Sequence, residues 1–103
     1  MTPPRALFSP EALAQLNELE NYLLEQASTG VADGYMDRLL EFCDRLALDP
    51  IAGHSRDDLL PGLRTRTFEK SRVLCFLVLG EDVHIIAIFG TRQNWEERAR
   101  DLR

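Results

Sequence analysis

Residues 72–89 read RVLCFLVLGEDVHIIAIF, and this stretch decides the fold. Apolar and β-branched side chains fill both of its halves, and Gly80-Glu81-Asp82 separates them with the residue types of a tight turn. We therefore predict two strands, over 72–79 and 83–89. They must run antiparallel, because a connection this short cannot return the chain for parallel pairing.

A third strand precedes this pair. Residues 63–68, LRTRTF, alternate between polar and apolar or β-branched side chains, and Glu69-Lys70-Ser71 connects them to the next strand by a second short turn. The result is a three-stranded antiparallel meander. After Gly90, Asn94 and Glu97 have the spacing of a helix N-cap and its N3 partner, which predicts a short C-terminal helix to about Leu102.

The N-terminal half is predicted to be mainly helical. A short edge strand at Ala6-Leu7-Phe8 leads to a helix over about 10–27, for which Ser9 is the N-cap. Ser28-Thr29-Gly30 interrupts it, and a second amphipathic helix ends at Asp49-Pro50. Residues 51–58 are predicted to form a polar loop.

The element order β-α-α-β-β-β-α indicates an α+β fold, in which a helical hairpin packs on one face of a mostly antiparallel sheet. The two long strands are nevertheless apolar on both faces. Strict alternation places Val73, Cys75, Leu77 and Leu79 opposite Leu74, Phe76 and Val78, and Val83, Ile85, Ala87 and Phe89 opposite Ile86 and Ile88. Since two helices cover one face, either the C-terminal helix or another chain covers the second, and we favour another chain.

The chain has 103 residues, the length of one domain, and a net charge of −5. Residues 1–55 contain three basic and nine acidic residues, whereas residues 56–103 contain nine basic and eight acidic ones. We expect the acids to form the solvated face of the helices and the arginines to gather on the sheet. A net negative charge also argues against a protein that holds nucleic acid through its phosphates.

Motifs for metal, redox or cofactor chemistry are not found in the sequence. Cys43 and Cys75 lie in apolar stretches, at a spacing that suits neither a zinc knuckle nor a redox pair. We predict that they are reduced core thiols of a cytoplasmic protein, and we predict no metal and no cofactor. The sequence also shows neither a membrane span nor a signal peptide.

Four arginines carry the strongest chemical signal. Arg64 and Arg66 lie two residues apart and so share a strand face, while Arg72 begins the next strand and Arg92 follows the last one. Such a group could bind phosphate or an acidic protein segment, or stabilise a phosphoryl transition state. It could equally consist of separate side chains that pair with surface acids, and the sequence leaves these alternatives open.

These segments resemble the RelE/ParE toxin superfamily. The resemblance is carried by Leu60-Pro61-Gly62-Leu63-Arg64, by the strand 72–78 and by residues 83–92, and it extends to Phe8-Ser9-Pro10-Glu11-Ala12 and the helical hairpin. It covers nearly the whole chain. It implies a single toxin domain over 1–103 that belongs to a type II toxin–antitoxin system.

Two branches of the superfamily imply different activities. The ParE-like branch inhibits DNA gyrase by protein–protein binding, without catalysis, whereas the RelE-like branch cleaves messenger RNA on the ribosome. RelE-like chains carry a Tyr or His near the C-terminus, where this chain has Arg98 and its neighbours. The segment 61–64 is similar to the ParE branch, which we therefore favour. The alternatives are a ribonuclease that uses Arg64, Arg66, Arg72 and Arg92, and a degenerate member that binds only its antitoxin.

The resemblance also implies partners. We expect a hetero-oligomer with a cognate ParD-like antitoxin, with gyrase as the target and no direct contact of the toxin alone with nucleic acid or membrane. We expect the free toxin to be poorly soluble without its partner. The expected antitoxin-binding residues are Leu74, Phe76, Val78, Ile86, Ile88, Arg64, Arg66, Arg72, Arg92 and Trp95.

Overall fold

The computed structural model describes residues 3–102, so residues 1–2 and 103 of the predicted domain lie outside it. The described residues form an α+β fold that follows the predicted order, with one added strand. The elements are β1 (Ala6–Phe8), α1 (Pro10–Gln26), α2 (Thr29–Leu48), a 3-10 turn (Pro50–Ala52), β2 (His54–Ser55), β3 (Arg64–Phe68), β4 (Arg72–Leu79), β5 (Asp82–Gly90) and α3 (Trp95–Arg100).

The sheet has the strand order β1-β5-β4-β3-β2. The predicted antiparallel meander β3-β4-β5 is confirmed, and β1 is the predicted edge strand, which pairs with β5 in parallel. The segment 51–58 is not simply a loop, since it contains most of the 3-10 turn and the short strand β2 on the edge of β3.

The helical hairpin of α1 and α2 covers one face of the sheet. Its apolar stripes and the sheet residues beneath them form the larger core, which includes Leu16, Leu39, Leu74, Phe76, Val83, Ile85 and Ile88. The break between the helices is shorter than predicted. Ser28 caps α2, which begins at Thr29 and holds Gly30 in its first turn.

A β-bulge in β5 changes which side chains face the hairpin. The register passes from the pair Cys75–Ala87 directly to Phe76–Ile85, so Ile86 is an extra residue between them. One inserted residue reverses the alternation along the strand. The prediction that these four side chains of β5 share one face is therefore wrong. Val83 and Ile85 face the hairpin, whereas Ala87 and Phe89 face the opposite side of the sheet.

The second face of the sheet is covered by the chain itself. A separate core there consists of Leu59, Leu63, Val73, Cys75, Ala87, Phe89, Ala99 and Leu102, with Leu60, Ile86 and Trp95 packed against it. Our expectation that another chain covers this face is wrong. The helix α3 is short, but the segment 59–63 adds three leucines to the cover.

The start of α3 differs from the predicted capping pair. Asn94 has a left-handed backbone, with φ 49°, and its side chain caps no backbone N–H of the helix. Its side-chain amide instead donates to the carboxylate of Glu97. The helix also ends earlier than predicted, at Arg100.

Ser9 caps α1 as predicted, and it also ties the helix to the bulge. Its Oγ accepts from the backbone N–H of Ala12 at 3.1 Å and donates to the carbonyl of Ile86 at 3.0 Å. Ser28 Oγ, by contrast, accepts only from Val31 N–H, at 3.2 Å, on an exposed surface.

We expect Ser9→Ala to lower the free energy of unfolding by about 1–2 kcal/mol, and the matched variant Ser28→Ala by about 0.5–1 kcal/mol. Urea denaturation of both variants measures the difference. Equal losses would show that the bond to the Ile86 carbonyl contributes nothing to stability.

Candidate functional site

A cleft of about 630 Å³ opens between α1, the β3–β4 turn, the end of β5 and the start of α3. One wall comes from α1 and carries Gln15, Glu18, Leu19 and Tyr22. The other side carries four cations that we call the basic cleft: Lys70, Arg72, Arg92 and Arg98.

The turn between β3 and β4 presents Lys70 to this cleft. Glu69 and Lys70 both have left-handed backbones, with φ 47° and 59°, and the Ser71 N–H donates to the Phe68 carbonyl at 3.0 Å. Two consecutive left-handed residues are typical of a two-residue hairpin turn, in which Asn and Gly are the usual residues. Glu69 and Lys70 therefore adopt a strained backbone conformation here.

Contacts from two other elements hold this turn in place. The guanidinium of Arg38 on α2 binds both carboxylate oxygens of Glu69, at 2.8 and 3.3 Å, and this hydrogen-bonded charge lowers the pKa of Glu69. Thr91 donates its hydroxyl to the Lys70 carbonyl at 3.2 Å and its N–H to the Ser71 carbonyl at 3.1 Å. The cations around the turn are therefore placed by a fixed backbone.

Two of the arginines are oriented by close contacts. Arg72 Nη1 donates to the Ser71 carbonyl at 3.0 Å and lies over Gly90, where a Cβ atom would meet it at 3.2 Å. The guanidinium of Arg98 lies 4.8 Å from the centroid of the Phe89 ring. A glycine at position 90 thus leaves space for a charged group at the end of the sheet.

The four cations of the basic cleft form no ion pair with any residue of the range 3–102. Within residues 3–102, ion pairs are formed by Arg5, Arg38 and Arg56. Arg56 pairs with Asp58 and Glu96, which raise its pKa, and its guanidinium lies 5.4 Å from the centroid of the Trp95 ring.

The predicted group of four arginines is divided by the fold. Arg72 and Arg92 meet in the basic cleft, but Arg64 and Arg66 do not line it. Arg64 Nη1 donates to the Gly53 carbonyl at 3.2 Å, near β2, and the Arg66 guanidinium lies 5.7 Å from the centroid of the Phe42 ring on α2. Of the alternatives that the sequence left open, one group of four arginines is therefore not formed, and only Arg72 and Arg92 lie together.

The predicted apolar docking residues are largely inaccessible. Leu74 and Phe76 are 0% exposed and Ile88 is 5% exposed, because all three lie beneath the helical hairpin. The expectation that they form an open surface is wrong for this reason. Val78 remains 41% exposed, and Ile86 and Trp95 are half-buried.

Sequence reasoning missed Lys70 and Arg98 as partners of Arg72 and Arg92. A signal for Lys70 was present, because a two-residue turn without Gly or Asn indicates a conformation held for another reason. Arg98 gave no comparable signal from turn chemistry or spacing, although the family resemblance placed it where RelE-like chains carry a Tyr or His. Among residues 3–102 there is also no cluster of three or more His, Cys, Asp or Glu that could hold a metal ion.

The two thiols lie in different cores. Cys43 is on α2, in the core between the hairpin and the sheet, and Cys75 is in the core on the second face. Burial raises the pKa of each to about 12. Because the thiolate is the reactive form, we expect a disulfide reagent at pH 8 to label the native chain only as fast as unfolding exposes the thiols. In denaturant two thiols should react at once. Rapid labelling of one thiol in the native chain would contradict this burial.

Known proteins of one family match this fold and sequence. Residues 6–95 match the family model of the ParE toxin of type II toxin-antitoxin system, parDE. Over 70 residues the chain is 37% identical to Toxin ParE3 of Caulobacter vibrioides. This alignment covers 68% of this chain and 69% of that protein.

The structural comparison agrees in fold. A chain from the chromosomal ParDE TA system of P. aeruginosa superposes with a TM-score of 0.72 at 21% identity, over 85% of this chain and 95% of that one. No helix within residues 3–102 is both long and apolar enough to cross a membrane. Since the family match runs from β1 to the first residue of α3, the chain belongs to the ParE toxins of type II toxin–antitoxin systems.

Proposed function

We propose that this chain inhibits DNA gyrase in the cytoplasm by binding it as a protein ligand, without catalysing a reaction, and that a cognate ParD-like antitoxin neutralises it. The observation that carries the proposal is the ParE family match over residues 6–95, which includes every strand of the sheet. The related ParDE system supports an antitoxin partner by analogy.

The placement of the arginines counts against a ribonuclease that uses all four of the predicted residues. A nuclease that used the predicted set would need all four guanidinium groups around one scissile phosphate. Arg64 and Arg66 instead contact Gly53 and Phe42, outside the cleft that Arg72 and Arg92 line. Half of the predicted set is therefore directed elsewhere.

The antitoxin in this proposal binds the accessible members of the predicted set. These are Arg64, Arg66, Arg72, Arg92, Val78, Ile86 and Trp95, which keep part of their surface exposed. Acidic side chains of the antitoxin would be attracted to the basic residues, which concentrate in the half of the chain from residue 56 onward. The acidic residues of α1 and α2 would repel them, so the antitoxin is expected to bind away from the exposed face of the helices. The assembly is a hetero-oligomer of toxin and antitoxin.

Two parallel assays test the proposal. The purified chain is incubated with gyrase and supercoiled plasmid, and separately with translating ribosomes and a defined message. We expect linear plasmid after protein denaturation in the first assay and intact message in the second. Prior mixing with the protein encoded by the neighbouring reading frame, the candidate antitoxin, should abolish the linear product.

Cleaved message with intact plasmid would overturn the proposal in favour of the ribonuclease. Intact plasmid and message, with normal growth of cells that express the chain, would overturn it in favour of a member that binds only its antitoxin. Linear product that persists in the presence of the neighbouring protein would contradict the neutralisation step alone.

A further inference from the structure

The helix α3 cannot be held in place by its own backbone. It has six residues, and an isolated helix shorter than about 12–15 residues is only marginally stable in water. Its backbone hydrogen bonds are local, such as those from Arg98 N–H to the Asn94 carbonyl at 3.4 Å and from Leu102 N–H to the Ala99 carbonyl at 3.1 Å. The contacts of its side chains must therefore keep α3 on the sheet.

Arg56 supplies the polar contacts that connect α3 to a distant part of the chain. Its Nη2 donates to a carboxylate oxygen of Glu96 at 2.5 Å, and its guanidinium lies 5.4 Å from the centroid of the Trp95 ring. Within residues 3–102, a second hydrogen bond of an α3 side chain joins Glu97 to Asn94, and this one is local. Arg56 is thus the polar anchor of the helix.

Arg56 is also fixed to residues 56–63, the segment that shares the cover of the second core with α3. Its Nε and Nη2 donate to the two carboxylate oxygens of Asp58, each at 3.0 Å. Its backbone N–H donates to the Leu63 carbonyl at 2.8 Å, and its carbonyl accepts from the Leu59 N–H at 3.0 Å. A bidentate pair of this kind fixes the plane of the guanidinium. One side chain therefore ties both parts of the cover together.

The apolar contribution of α3 to the second core is small. Residues 95–102 bury Ala99 and Leu102, and the Trp95 ring packs against the core half-buried. The hairpin of α1 and α2 buries far more, including Leu16, Leu39 and other large side chains of both helices. Because stabilisation by burial grows with apolar area, opening α3 requires much less free energy than lifting the hairpin.

We propose that α3 opens from the sheet as a local unit while the rest of the fold stays intact, and that Arg56 is the latch that limits this opening. The open state uncovers Val73, Cys75 and Phe89 of the second core, whereas the core beneath the hairpin, which contains Cys43, stays closed. The latch is a property of the free chain and is independent of the gyrase proposal.

The two thiols report on the two cores separately, because Cys75 lies in the second core and Cys43 in the core beneath the hairpin. The full chain is alkylated with iodoacetamide at pH 8, without urea and at urea concentrations below the unfolding transition. Peptide mass spectrometry measures the modified fraction of each cysteine over time. A local opening exposes little surface, so its equilibrium depends weakly on urea, whereas that of global unfolding depends on it steeply.

Three variants test the latch. Arg56→Gln removes it, and Glu96→Gln removes only its ion pair with α3. Glu96 is exposed, so its variant tests the latch even if Arg56→Gln lowers the stability of the whole fold. Arg38→Gln is the matched control, since Arg38 also binds both oxygens of a carboxylate and lies 5.7 Å from the centroid of an aromatic ring, but on α2.

We expect Cys75 to react about tenfold or more faster than Cys43 without urea, with a weak urea dependence for Cys75 and a steep one for Cys43. Both should still react far more slowly than in the denatured chain. Arg56→Gln should accelerate the reaction of Cys75 by a further factor of about ten or more, and Glu96→Gln by about two- to fivefold. Arg38→Gln should leave the Cys75 rate unchanged.

Three results would overturn the proposal. The first is the same rate and the same steep urea dependence for both thiols, because both would then report global unfolding alone. The second is an equal acceleration of Cys75 and Cys43 in Arg56→Gln, which would make Arg56 a stabiliser of the whole fold. The third is a Cys75 rate in the Arg56 and Glu96 variants no higher than in Arg38→Gln, which would leave α3 without a latch.

Discussion

Replacing Phe76 by alanine is expected to lower the free energy of unfolding by about 3–5 kcal/mol, because it removes a large side chain from the centre of the core beneath the hairpin. Phe76 is 0% exposed and is among the largest fully buried side chains of the protein. Domains of this size are stable by about 5–15 kcal/mol, so the variant should lose a large part of its stability.

Val78, two residues further along β4, provides the matched control. It shares the strand and the expected docking role but is 41% exposed, so Val78→Ala should cost about 1 kcal/mol or less. Urea denaturation followed by circular dichroism measures both variants. A mild effect of Phe76→Ala, equal to that of Val78→Ala, would contradict the burial of Phe76 and restore it as a docking residue.

The second large effect is expected at Ala99, where α3 meets the sheet. Ala99 is 0% exposed within the second core, so Ala99→Asp places a carboxylate among apolar side chains where water does not reach it. We expect a loss of about 3 kcal/mol or more in the free energy of unfolding. The helix should detach and expose Val73, Cys75 and Phe89, with binding of a hydrophobic dye as the readout.

Ala14 is the control for this change, since it is an exposed alanine within α1. Ala14→Asp introduces the same side chain into a helix but leaves it in water, so only its helix propensity, about 0.5–0.7 kcal/mol, is lost. Dye binding should stay at the level of the unmodified chain. If Ala99→Asp neither destabilises the fold nor binds dye, α3 is not the cover of the second face.

The element order could be predicted from the sequence because the signals were local. The helix cap at Ser9, the break at 28–30 and the short turns at 69–71 and 80–82 each depend on neighbouring residues. The strand β2 escaped detection, since a two-residue strand has no periodicity of its own and exists only through pairing with β3.

The facing of side chains could not be predicted where it depends on a bulge. Strict alternation correctly placed Leu74 and Phe76 on one face of β4, but in β5 the extra residue Ile86 reverses it. The prediction of what covers the second face of the sheet failed for a related reason. A six-residue helix is too small alone, and the contribution of Leu59, Leu60 and Leu63 comes from a segment without regular structure.

The candidate site was half predictable. Arg72 begins β4, and Arg92 follows the end of β5. Because these strands are antiparallel neighbours, the start of β4 lies beside the end of β5. The side chains of Arg64 and Arg66 are directed by partners distant in sequence, the Gly53 carbonyl and the Phe42 ring, which no spacing rule identifies.

The pairing of β1 with β5 determines when this chain can complete its fold during synthesis. Ala6 lies opposite Val83, so the first strand has no partner until residues 82–85 have left the ribosome. The hairpin of α1 and α2 likewise waits for β4 and β5, on which its apolar stripes pack. The contacts that close the molecule are thus among the most distant in sequence, which slows folding. The nascent chain therefore carries an uncovered apolar hairpin until its last strand emerges.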